Sequence, residues 1–171
     1  MSSLLERLSA RQHLLVALAS AALIISSPWI GMVRRIPHGA GPLDYAHVLL
    51  GLVTLLLALG YTLSCMRGGG WRLYFPWAAG DLAGVGRDLR ELLRGRIPAA
   101  EGGGLFALLE GLLLLLLVAT AATGAAWFGA QGSGAALAIR HYHALFARGL
   151  EVMIVLHVVT VSLHLLDFVR D

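Results

Sequence analysis

An ionisable side chain inside a membrane is costly and marks chemistry. The segment HYHALFARGLEVMIVLHVVTVSLHLLDFVRD, residues 141–171, is long enough to cross a bilayer at roughly 20 residues per crossing, yet it carries His143, His157 and His164. His143 and His157 are 14 positions apart. At about 100° per residue this falls about 40° short of four full turns, so both rings occupy one helix face, and at about 1.5 Å of rise they are roughly 21 Å apart along the axis. One ring therefore lies toward each surface of a hydrocarbon layer about 30 Å thick. That separation is too wide for one metal ion. It suits two stacked haems, because haem iron accepts neutral imidazole on either face and a porphyrin is at home in an apolar interior. Two more histidines are then required from other helices, one near each surface, and His13 and His47 are the candidates.

The elements that must position these residues are apolar. Four segments, about His13 to Met32, Asp44 to Cys65, Leu105 to Phe128 and Tyr142 to Val169, are each long enough to span as a helix. This predicts a single all-α domain over residues 1–171, an integral membrane four-helix bundle of up-and-down topology. In the first span Ala17 and Ser20 follow His13 on its face, and in the second Gly51 and Thr54 follow His47. Small side chains there would let a flat macrocycle approach. Asp44 is placed to cap the second helix. Between the second and third spans, Asp81 is placed to cap GDLAGVGRDLRELLRGR, whose Leu82, Val85, Leu89, Leu92 and Leu93 recur at helical spacing. That pattern predicts an amphipathic helix on the cytoplasmic surface. The third span has no histidine and is expected to pack beside the ligating helices.

Composition agrees with a membrane protein. Of 171 residues 58% are hydrophobic and only 13% charged, against roughly 25% charged in a soluble domain. All 13 cations are arginines, and the net charge of +3 is a topology signal, with no nucleic-acid partner implied. Cys65 is the single cysteine. It excludes an intramolecular disulfide, covalent CxxCH haem attachment and a cysteine-ligated iron–sulfur cluster, so any haem is b-type. The first apolar run lacks a small-residue cleavage site after it and is read as a retained span.

Depth sorts the four histidines. His13 opens an outward helix on the cytoplasmic side, and His157 lies deep on an inward one. His47 and His143 each open an inward helix on the opposite side. Taken singly, His13 and His47 also read as interfacial histidines, but jointly they form two same-depth pairs, His13/His157 and His47/His143.

Helix 1 with His13, helix 2 with His47, a histidine-free helix 3 and the 14-residue interval from His143 to His157 resemble the bacterial four-helix di-haem cytochromes b. That superfamily includes the cytochrome b-561 proteins and the cytochrome b subunits of nickel–iron hydrogenases and formate dehydrogenases. The resemblance implies that His13, His47, His143 and His157 ligate two haem b groups. It also implies electron transfer between a redox partner and the quinone pool in a bacterial inner membrane. TAATGAAWF at the end of helix 3 and the loop with Asp81 and Asp88 look more like the formate-dehydrogenase type, whereas the compact length looks more like the stand-alone cytochromes.

The expected role is the quinone-reactive electron-transfer subunit of an oxidoreductase complex, alongside an iron–sulfur or dehydrogenase subunit or a second copy of the chain. His164 has three readings: a replacement for His157 as ligand, a quinone contact, or an interfacial residue. Glu110, one to two turns inside the third span, either handles protons or snorkels to the surface. A competing reading of the whole chain is a haem-free membrane anchor or assembly subunit. Nine of the 13 arginines fall on the side that holds both termini and the long middle loop. The positive-inside rule then puts that side in the cytoplasm. A reporter active only in the cytoplasm should accordingly work when fused after Asp171, and one active only in the periplasm should stay silent there.

Overall fold

The computed structural model describes the backbone of residues 2–98 and 103–170 and the side chains of 11–98 and 103–163. Its helices are α1 (Ser2–Ser26), α2 (Pro42–Met66), α3 (Trp71–Tyr74), α4 (Pro76–Ala79), α5 (Ala83–Leu93), α6 (Leu105–Gly129) and α7 (Ala136–Arg170). Four of them, α1 and α2 with the 3-10 turns that continue them, α6 and α7, form segments long and apolar enough to cross a membrane: Arg11–Trp29, Pro42–Gly69, Leu105–Gly129 and Ala136–Leu163. The fold is an all-α, up-and-down bundle of four membrane spans with short helices in the loop between the second and third. Large side chains such as Leu56 and Ile25 are 72% and 68% exposed. In lipid such a surface is the solvated one.

The chain packs as two compact units, Met1–Ser64 with Leu116–Gly149, and Cys65–Leu115 with Leu150–Asp171. In the first unit, the α-helical part of the first span stops at Ser26 and not at Met32 as the apolar run suggested. Pro28 supplies no amide hydrogen and disfavours helix in the residue before it, leaving a 3-10 turn over Ser27–Trp29. Met32 instead enters a buried cluster with Trp127 and Ala136, against which Ile30, Ile36, Val48 and Ile139 pack.

The polar groups of that loop are satisfied from the other spans. Trp127 Nε1 donates to Val33 O at 3.0 Å, Arg140 Nε to Met32 O at 2.9 Å, and Gly132 N to Arg34 O at 3.0 Å, while Gln131 Oε1 accepts from Ile36 N at 2.9 Å. Helix α7 starts at Ala136, which is completely buried in the Met32 cluster, and not at Tyr142. Helix α2 likewise starts early, with Pro42 in its first turn. Asp44 caps it from inside that turn, accepting from Gly41 N at 3.1 Å and Gly31 N at 3.2 Å.

In the second unit Asp81 Oδ1 accepts from Ala83 N at 3.2 Å, at the start of α5. Asp88, on the protein-facing side of α5, is buried and accepts from Leu105 N, the first amide of α6, at 2.9 Å. The carboxylate thus meets one of the orphan donors of a membrane-spanning helix and its positive dipole end. Arg87 lies 3.5 Å from the same carboxylate. Replacing Asp88 by alanine should destabilise the protein by about 0.5–2 kcal/mol, the usual range for a lost helix cap. Asp88→Asn, which keeps an acceptor oxygen, should lose less. Thermal unfolding in detergent checks the order of the two variants.

Candidate functional site

His143 is the best-defined of the four histidines. It lies in the part of α7 that belongs to the first unit, half-buried, with Nδ1 2.9 Å from the Thr120 carbonyl oxygen and 3.5 Å from Thr123 Oγ1. A carbonyl only accepts, so Nδ1 carries the proton and Nε2 keeps its lone pair. The carbonyl is reachable for a local reason. Gly124, four residues beyond Thr120, is the position whose Cβ would meet the imidazole, at 3.1 Å from Cε1 and 3.3 Å from Nδ1. The missing side chain lets the ring lie against α6. Thr123 Oγ1 donates to Ala119 O at 2.6 Å and Thr120 O at 3.0 Å, so its own hydrogen is used and a lone pair can face the ring.

His47, on α2 in the same unit, is also half-buried. Its Nδ1 is 3.5 Å from Ser26 Oγ, whose hydroxyl donates to Leu23 O at 3.1 Å. That arrangement favours the same tautomer as at His143, with Nε2 free, through a longer contact. The His47 and His143 rings lie within electrostatic range of each other. Along the His47 face, a Cβ at Gly51 would meet nothing within 4 Å, while Thr54 is buried with its hydroxyl donated to Leu50 O at 2.7 Å.

His13 is exposed and its ring sits 5.7 Å from that of Tyr61, tilted by 50°. Two turns on, Ser20 is buried and its Oγ has no hydrogen-bond partner among the described residues. His157 belongs to the second unit and is half-buried, its carbonyl accepting from Thr160 Oγ1 at 2.8 Å. The side chain of His164 lies outside the described residues. His141 is exposed beside Tyr142, and His38 is exposed in the loop after α1. Glu110, in the second unit, is half-buried next to Gly111, whose missing Cβ admits the Tyr74 carbonyl. Burial raises the Tyr74 phenol above its ordinary pKa, and Cys65 and then Glu110 raise it further. Tyr74 is therefore a neutral hydroxyl near a carboxyl group.

The donor set at His47 and His143 fits haem. Two neutral imidazoles, one held with Nε2 unprotonated by a carbonyl on a third helix, are what an iron with four porphyrin nitrogens requires of a protein. Among the described residues no group of three or more His, Cys, Asp or Glu is arranged to hold a bare metal ion. No residue type in α6 points by itself to a role at the site. Thr120, Thr123, Gly124 and Ser26 neighbour the two imidazoles, and the run of small residues in TAATG is the signal that points toward the first three.

A family model described as prokaryotic cytochrome b561 matches residues 6–167 of the chain. No curated protein and no solved structure matches it.

Gly124→Val should push the His143 ring off the Thr120 carbonyl. Loss of such an orienting partner lowers metal affinity by about 10–100-fold. If His143 ligates a haem, the expected result is a lower haem content per chain after purification, with Gly51→Ala far milder.

Proposed function

The chain belongs to the prokaryotic cytochrome b561 family, and we propose on that premise that it carries two haem b groups and passes electrons across the membrane between a redox partner and the quinone pool. At the coarser level it is a multi-pass membrane electron-transfer cytochrome. The observation that carries the finer reading is the 2.9 Å approach of His143 Nδ1 to the Thr120 carbonyl. It fixes a half-buried imidazole in the tautomer an iron ligand needs.

His47 and His143 would hold one haem and His13 and His157 the other, the second pair resting on helix register, since both fall at the same depth by rise per residue. When bound, each haem supplies a one-electron carrier whose potential follows from its axial ligands and its burial. The protein's own residues do the rest. Thr120 and Ser26 orient imidazoles, Gly51 and Gly124 keep side chains out of the approach to them, and the apolar spans exclude water. Arg11, Arg72, Arg34 and Arg35 lie near span ends where propionates would emerge, whereas Arg140 is engaged by the Met32 carbonyl.

Quinone chemistry belongs on the His13/His157 side. Glu110 supplies a carboxyl group that can hold a proton near the Tyr74 hydroxyl, and His164 is the other candidate contact. The partner would be an iron–sulfur or dehydrogenase subunit, or a second copy of the chain, with the protein acting as the quinone-reactive subunit of an oxidoreductase complex. It would reside in a bacterial inner membrane as a single transmembrane domain with both termini cytoplasmic.

Haem counts in purified variants test the ligand assignment. His143→Ala and His47→Ala should each leave about one haem per chain and lose the same spectral component, because both rings serve one iron. His157→Ala and His13→Ala should lose the other. His141→Ala should keep both. If His157→Ala retains two haems while His164→Ala loses one, the ligand on α7 lies seven residues further along than assigned.

A further inference from the structure

Helix α5 turns its glycine and aspartate side to the protein. Its inward residues are Gly84, against the Gly103 carbonyl, and Asp88, against Gly104 and the Leu105 amide. The leucines face out: Leu93 is 81% exposed, Leu82 53%, Leu89 51% and Leu92 39%. At about 100° per residue these four and Val85 cover one contiguous face of about 100°, beside the Asp88 face and away from Arg87. Such a face on a helix held in water would be a liability. What it lies beside is a membrane span, because among the described residues Gly84 and Asp88 both meet the residues that open α6.

Charge identifies the occupant further. Arg90 is exposed, flanks the leucine face and makes no ion pair among the described residues. Arg94 and Arg96, just past the C-terminal end, pair with Glu91 at 3.0 and 3.6 Å and remain exposed. Asp88 is buried and committed to the α6 amide. Asp81 is exposed beside Leu82 and Glu91 is partly accessible, but against Arg87, Arg90, Arg94 and Arg96 the accessible charge around the leucines is net positive.

We propose that α5 is an interfacial anchor that lays its leucine face into the acyl region of the bilayer and binds anionic lipid headgroups through Arg90, Arg94 and Arg96. An apolar face flanked by arginines at headgroup level is the arrangement that binds anionic membranes. Through Asp88 the headgroup layer is then mechanically joined to the first turn of α6. Seating of α5 and order at the entrance of the third span depend on the same lipids.

The test uses the full-length protein with Cys65→Ser and a spin label at Leu93→Cys, in nanodiscs of phosphatidylcholine alone or mixed with phosphatidylglycerol. The label should collide more often with oxygen than with a water-soluble nickel chelate, and its immobilised fraction should rise when phosphatidylglycerol is present. Arg90→Gln should lower the ratio of immobilised to mobile label about fivefold in the anionic discs, the effect of one arginine near an anionic surface. Asp88→Asn should loosen the label less than Leu89→Glu does. A label that collides mainly with the nickel chelate in both lipids would overturn the proposal and point to a protein partner for the leucine face. Equal behaviour in the two lipids would overturn the headgroup assignment.

Discussion

Desolvation of imidazole is the constraint on which the rest of this structure depends. A ring nitrogen with a proton, placed in hydrocarbon without an acceptor, costs several kcal/mol by order of magnitude, and a charged ring costs more. The chain meets this by bringing a helix carbonyl to His143. A carbonyl already used in a helix ladder has a second lone pair, and Gly124 leaves it open from the side. One nitrogen is thereby satisfied by protein, and the other is left as the only basic atom of the ring, suited to iron.

The same accounting shapes the end of the bundle next to this pair. The loop after α1 would carry unpaired backbone groups at the membrane boundary, and Trp127, Arg140, Gly132 and Gln131 pair with them. These contacts tie the end of the first span to α6 and α7 around Met32 and Ala136. They also hold the segment of α6 that supplies Thr120 to the same unit as His47 and His143. In the second unit Asp88 does comparable work at the opening of α6.

The four spans and the shared face of His143 and His157 were legible in the sequence because hydrophobic length and helical period are properties of side chains. The orienter of His143 was not legible, since a backbone carbonyl has no letter of its own and only the glycine that exposes it does. The end of α1 shifted where a single residue outweighs hydropathy, at Pro28, and α7 begins earlier than its apolar run, at the buried Ala136. For α5 the leucine period was plain in the sequence. Which face meets the protein was not, because it depends on where the first amide of α6 comes to lie relative to Asp88.

The central claim is that two haem b groups reside in one chain of this family. It is tested most directly by the reduced-minus-oxidised absorbance spectrum of the purified protein, with haem counted against protein by pyridine haemochrome. Two non-covalently held b-type haems per chain, with a b-type Soret and α band, is the predicted result. Haem-free protein, expressed in the membrane of haem-sufficient cells and stable after purification, would contradict it and identify the chain as an anchor or assembly subunit.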